Sequence, residues 1–265
     1  ADISFLPIEK QPDVTAFICE GMVDMTQLND YFNKIAAYIV EGLEGDKKEL
    51  PPIILVENME KIVDKVFSGF LIFYINQDSH VYAVDISKVP SRSPEESKTE
   101  ISLKGPRDGF TEELPINISL IRKRVKSETL HNEQFEIGSL SKTKVSLLYL
   151  SNKINIEILE EIRERLETLE TESLLSSGQL EQWISDRTFS IFPHFDYITR
   201  ADYAIECLLR GRFVVIVDGS PAVLIGPINL FAMLKSPEDV HFPYSIVAFQ
   251  RLIRFIGLAI AIFAP

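Results

Sequence analysis

Cys207-Leu-Leu-Arg-Gly211-Arg-Phe-Val-Val-Ile-Val217 has a counterpart far upstream, Lys65-Val-Phe-Ser-Gly69-Phe-Leu-Ile-Phe-Tyr-Ile75. In each stretch a helix is expected to end at the glycine, which adopts the left-handed backbone conformation that closes helices. An apolar strand then runs to a turn, Asn76-Gln-Asp-Ser79 in the first case and Asp218-Gly-Ser220 in the second. A return strand follows, Val81-Tyr-Ala-Val84 and Ala222-Val-Leu-Ile225 respectively. Asp-Gly between two apolar runs is a strong hairpin signal.

Working outward, the starts of the two halves also match. Val14-Thr-Ala-Phe-Ile-Cys19 reads as a buried strand, and Glu20-Gly-Met-Val-Asp24 leads into a helix with Leu28, Phe32, Ile35 and Ile39 along one face. Val145-Ser-Leu-Leu-Tyr-Leu150 is likewise a strand, followed by a turn over Ser151 to Asn155 and a helix carrying Ile158, Ile162, Leu166 and Leu169. Leu28 follows Val14 at the same offset as Leu159 follows Val145. The fold class expected is therefore α/β, with two similar strand-helix-helix-hairpin lobes from an internal duplication, joined by a linker helix.

Between the halves, Ser87 to Arg107 is rich in Pro, Ser and Glu and reads as a loop. Gly105-Pro-Arg-Asp-Gly-Phe110 then opens the linker helix, with Phe110, Leu114, Ile118, Ile121 and Val125 on one face. Glu112-Glu113 near its start and Arg122 to Lys126 near its end suit the helix dipole. Pro115 fits only where the helix starts close to it or kinks there, because an interior proline removes a hydrogen bond. The domains expected are a first lobe at 1–104, a linker region at 105–130, a second lobe at 131–250 and the opening of a transmembrane helix at 251–265.

The chain has 265 residues, is 46% hydrophobic and 25% charged, and suffices for one large or two smaller domains. Its net charge is -12, which opposes nucleic-acid binding, and the only dense basic cluster is Arg122-Lys-Arg-Val-Lys126. Cys19 and Cys207 lie far apart in apolar surroundings, without metal-ligand spacing, and are expected to be reduced core residues. His80, His131, His194 and His241 have no motif partners. Nucleophile elbow, phosphate loop and dinucleotide fingerprint are all missing. Glu157, Glu160, Glu161, Glu164, Glu167 and Glu170 alternate with Arg163 and Arg165, the pattern of a solvated helix face. Trp183 reads as core. We therefore expect no catalytic residues, no cofactor, no metal and no enzyme.

Ala1 to Lys10 holds no basic segment followed by an apolar run, so no signal peptide is read there. At the other end, Arg251-Leu-Ile-Arg254 precedes the uncharged run Phe255 to Pro265. That run is either a terminal core element or the opening of a membrane helix, with the two arginines holding this side in the cytoplasm.

Several longer stretches carry a family likeness. Gly105-Pro-Arg-Asp-Gly-Phe-Thr-Glu-Glu-Leu-Pro-Ile-Asn-Ile-Ser-Leu-Ile-Arg-Lys-Arg-Val125 resembles the signature of the A subunit of bacterial spore nutrient germinant receptors, the GerA family. Gly138 to Lys144, Phe192-Pro193, Arg200-Ala-Asp202 and Gly211 to Pro221 add to it, and Arg251 to Arg254 resembles that family's entry into its first membrane helix. The resemblance covers nearly the whole chain, most firmly from Gly105 onward. It implies a protein of the spore inner membrane with this domain on the cytoplasmic side, working with B and C subunits and self-associating. Its role would lie in assembly and in the nutrient signal that triggers germination and ion release, as a channel subunit. The alternative is a sensing domain that binds an amino acid or sugar between its lobes. The residues expected to carry coupling or interaction are Gly105, Pro106, Arg107, Asp108, Gly109, Phe110, Glu113 and Asn117.

Overall fold

The computed structural model describes residues 3–8, 14–40, 50–56, 58–76, 80–88, 108–185, 194–228, 239 and 242–263. It contains two five-stranded sheets of the same topology. The first is built from β1 (Ile3–Pro7), β2 (Val14–Cys19), β3 (Ile53–Leu55), β4 (Phe70–Ile75) and β5 (His80–Asp85), in the order β1-β2-β4-β5-β3. The second uses β6 (Leu130–Ile137), β7 (Thr143–Leu150), β8 (Asp196–Ile198), β9 (Phe213–Val217) and β10 (Val223–Gly226), in the order β6-β7-β9-β10-β8. Strand for strand, the second sheet repeats the first, which is the mark of a duplication.

The helices repeat too, with one more in the second half. α1 (Met25–Val40) and α2 (Met59–Val66) serve the first sheet, and α4 (Ile156–Glu167), α5 (Ser177–Ile184) and α6 (Ala201–Leu209) the second. α3 (Leu114–Arg122) lies between the two sets, and α7 (Tyr244–Phe263) closes the described chain. Each half adds two strands to the four-element pattern read from sequence: a leading strand, β1 or β6, and a short edge strand, β3 or β8.

Alternation along the strands divides the first core in two. Val14, Ala16 and Ile18 of β2, with Leu71 and Phe73 of β4, pack with Leu28, Ile35, Ala36 and Ile39 of α1. Cys19, Ile72 and Ala83 belong to another cluster with Ile62 and Val66 of α2. In the second sheet every residue of β9 is buried, so its unbroken Phe-Val-Val-Ile-Val run is apolar on both faces. Val215, Val217, Val145 and Leu147 meet Leu159, Ile162 and Leu166 of α4 and Leu180 and Ile184 of α5. α6 packs on β7 and β9.

Local signals set the helix ends. Asn155 accepts the amide of Glu157 at the start of α4, and Ser176 that of Gln179 at the start of α5. Gly69 and Gly211 follow α2 and α6 with φ of +88° and +83°. A Cβ at Gly211 would lie 2.5 Å from the Lys153 carbonyl oxygen, so both backbone angle and space demand glycine.

The chain forms two compact units. One comprises Ala1–Ser91 and Pro115–Glu133, the other Arg92–Leu114 and Gln134–Pro265. The chain thus leaves the second unit inside α3, after Leu114, and re-enters it inside β6, at Gln134. Both cysteines are free and buried, one in each unit. Trp183, read as core, is instead 40% exposed, beside the buried Leu180 and Ile184 of α5.

Candidate coupling segment

The expected linker helix is shorter than its apolar stripe. It starts at Leu114, which puts Pro115 in the first turn where a missing N–H leaves no bond broken. Phe110 lies before it and Val125 after it, both buried. Gly105, Pro106 and Arg107 lie outside the described residues.

From Asp108 to Leu114 the chain is fastened to the second unit at every other step. The Asp108 carbonyl accepts the Ala201 amide at 3.3 Å, and the Phe110 amide donates to the Thr199 carbonyl at 2.8 Å. Between them Gly109 forms an antiparallel bridge with Arg200. The Gly219 amide donates to the Glu112 carbonyl at 2.7 Å. The Leu114 amide, first of α3, donates to Asp218 Oδ1 at 3.1 Å. A helix N-terminus leaves its first amides without partners, and here a carboxylate 104 residues away in sequence supplies one, with charge of the right sign for the dipole.

Arg200 is itself locked. It is 4% exposed, and its Nε and Nη2 donate to the two carboxylate oxygens of Asp202 at 3.1 and 2.7 Å. Such a two-point pair holds the backbone of residue 200 where Gly109 pairs with it. Of the expected site residues, Gly109 and Phe110 are buried in this splice, and Asp108 takes part through its backbone. Glu113 is exposed, its amide bonded to Thr111 Oγ1, and Asn117 is fully buried. Sequence reading missed the roles of Asp218, Arg200 and Asp202. Asp218 reads as a hairpin residue, and nothing in linear order ties it to position 114.

Within the first unit, α3 is held by side chains rather than solvated. Ser119 Oγ donates to the Gly21 carbonyl at 3.0 Å. Arg122, expected to serve the dipole at a helix end, is 2% exposed, donates to the carbonyls of Ser127 and Leu130, and lies over the Phe67 ring. Lys126 bonds Ser68 and faces Asp64 at 3.6 Å. The basic cluster is therefore partly consumed within the fold.

Among the described residues no group of three His, Cys, Asp or Glu side chains is placed to hold a metal. A cavity of about 370 Å³ in the first unit has Tyr38, Leu50, Pro51, Pro52, Ile53, Leu55 and Tyr82 in its described lining, none of them charged. α7 is the only described helix long and apolar enough to cross a membrane. It begins at Tyr244, ten residues before Arg254, so both arginines lie within the helix rather than ahead of it.

Fold and segment together define a duplicated two-lobed α/β module with a spliced linker and an apolar terminal helix. The model of the Bacillus/Clostridium GerA spore germination protein family matches residues 2–265, and the chain belongs to that family. It is 40% identical over 211 residues to spore germination protein XA of Bacillus anthracis, covering 80% of this chain and 43% of that protein. To spore germination protein KA of Bacillus subtilis it is 38% identical over 210 residues, covering 78% and 39%. The chain thus spans less than half the length of these two relatives. The crystal structure of the N-terminal domain of the A subunit of the Bacillus megaterium spore germinant receptor GerK3 matches with a TM-score of 0.61 at 26% identity, covering 87% of this chain and 89% of that one.

Proposed function

We propose that this chain is the cytoplasmic N-terminal domain of a germinant receptor A subunit, and that it acts in receptor assembly and in passing the germination signal toward the membrane. It performs no chemistry of its own in this reading. The observation that carries it is the splice from Asp108 to Leu114. A segment that leaves one compact unit is fastened there by three backbone bonds and a carboxylate cap just before it enters the other. Such a connection transmits displacement, where a free linker would absorb it. Arg251 and Arg254 near the apolar part of α7 support a cytoplasmic placement of the domain, by the positive-inside bias. The B and C subunits and further A subunits are the partners this role requires, and ion release is its outcome.

Asp218 gives the test. Asp218→Ala removes the cap of α3, a loss of about 1 kcal/mol, while Asp218→Asn keeps an acceptor oxygen. We expect spores carrying Asp218→Ala to hold normal amounts of the subunit and to germinate several-fold more slowly, with Asp218→Asn restoring much of the rate. Unchanged germination in the alanine variant would refute the coupling role. Titration of the folded domain with amino acids and sugars should give no saturable heat, and a saturable one would move nutrient recognition into this domain.

A further inference from the structure

Asp239 is 8% exposed overall and its side chain only 4%. It receives two guanidinium groups from α7: Arg251 Nε at 2.9 Å on one oxygen and Arg254 Nη1 at 3.2 Å on the other. A carboxylate buried to this degree is stable only when paired and hydrogen-bonded. Here one carboxylate is shared by two cations on successive turns of an otherwise uncharged helix.

The helix divides accordingly. Val247, Arg251, Arg254 and Leu258 fall at i, i+4, i+7 and i+11, one face, and Val247 is buried at 5% exposure. Phe249, Ile253, Ile256 and Ile260 have the same spacing on the opposite face and are all exposed. One side of α7 is therefore paired with Asp239, a residue of the second unit, while the other is bare apolar surface.

A guanidinium is costly at the bilayer centre, so both arginines stay on the polar side of the membrane boundary. A single contact would set only how deep the helix sits. Two contacts on successive turns, made to one buried acid, also set its rotation about its own axis.

We infer that Asp239 is the joint that fixes the depth and rotation of α7 at the membrane surface, so that movement of the second unit is handed to the helix instead of being lost at a hinge. This rests on the signal-transmission reading above. Asp239 is a positioning residue in this role, acting through Arg251 and Arg254.

The test uses the full-length subunit in its native membrane, carrying one introduced cysteine at a time: Phe249→Cys, Leu252→Cys, Phe255→Cys, Ile256→Cys or Ile260→Cys. Cys19 and Cys207 are buried, and any cysteine elsewhere in the full-length subunit is first replaced by serine. In inside-out vesicles of that membrane, which present the cytoplasmic side, a membrane-impermeant maleimide should label positions up to about Arg254 and stop within a turn beyond it. With Asp239→Asn the labelling boundary should move by at least one helical turn, about 3–4 residues, and germination should slow several-fold, while Asp239→Glu restores both. An unmoved boundary in Asp239→Asn overturns the joint, and lost germination alongside it would leave the transmission reading standing. A moved boundary with normal germination overturns the handing-on of movement and the reading beneath it. Should Asp239→Asn fail to accumulate, the neutral set Asp239→Asn, Arg251→Gln and Arg254→Gln removes the joint without leaving unpaired charge, and the same boundary shift is expected.

Discussion

Asp196 shows how one side chain can carry a pH signature without any catalytic role. It sits half-buried on the edge strand β8, where burial raises its carboxyl above the usual range, an effect that outweighs the Tyr197 amide and the Arg212 charge acting in the other direction. A carboxyl raised in the folded state favours folding while protonated, and that contribution is lost as pH rises through its folded value. Asp196→Asn should therefore unfold at a higher temperature than the parent at neutral pH, with the gap closing as pH falls toward 4. A gap that stays constant across that range in calorimetry would show that Asp196 is not under such strain. Cys207 belongs to the same neighbourhood. Its thiol is pushed up by burial and it lies against Arg212, so it behaves as a core residue rather than a reactive one.

At the scale of elements, the two glycines that flank β9 make a matched pair. Both Gly211 and Gly219 have positive φ, +83° and +82°. Gly211 closes α6 against the Lys153 carbonyl, whereas nothing lies within 4 Å of a Cβ at Gly219. Alanine at Gly219 should cost only the backbone term, about 1 kcal/mol. Alanine at Gly211 adds a backbone collision that must be relieved by moving the turn after β7, so we expect at least twice the loss. Equal losses in denaturant melts would mean that the turn at Lys153 yields freely. The elements were legible to different degrees for a related reason. β2, α1, β4, β5, β7, α4, β9 and β10 follow from apolar runs, helical spacing and turn residues. β1, β3, β6 and β8 do not stand out: their burial is mixed, and their strand character comes from a neighbour's free backbone groups.

The whole molecule combines two acid-rich, well-packed units with a helix whose exposed residues are nearly all apolar. Phe249, Leu252, Ile253, Phe255, Ile256 and Ile260 are each about half exposed or more. Surface of this size is not tolerated in water and belongs against lipid or protein. A chain ending before Tyr244 should elute from size-exclusion chromatography as a single species in plain buffer, while the chain through Phe263 should need detergent to do so. Identical elution of both without detergent would place α7 against the body of the domain.

The amino-acid sequence alone determined the duplication, the α/β class, the hairpins and the family, because these rest on local periodicity, turn chemistry and long ordered motifs. Part of the stretch it singled out, Asp108 to Leu114, is fastened by backbone bonds and a carboxylate cap. Only the tertiary structure decided what does the fastening. Asp218 reaches Leu114 across 104 positions, and Arg122 turns inward beneath Phe67. Asp239 joins two arginines on the apolar terminal helix. A carboxylate or guanidinium looks alike in sequence whether it is solvated or buried, and its partner is set by which elements pack beside it, a property of the folded chain and not of its neighbours in order.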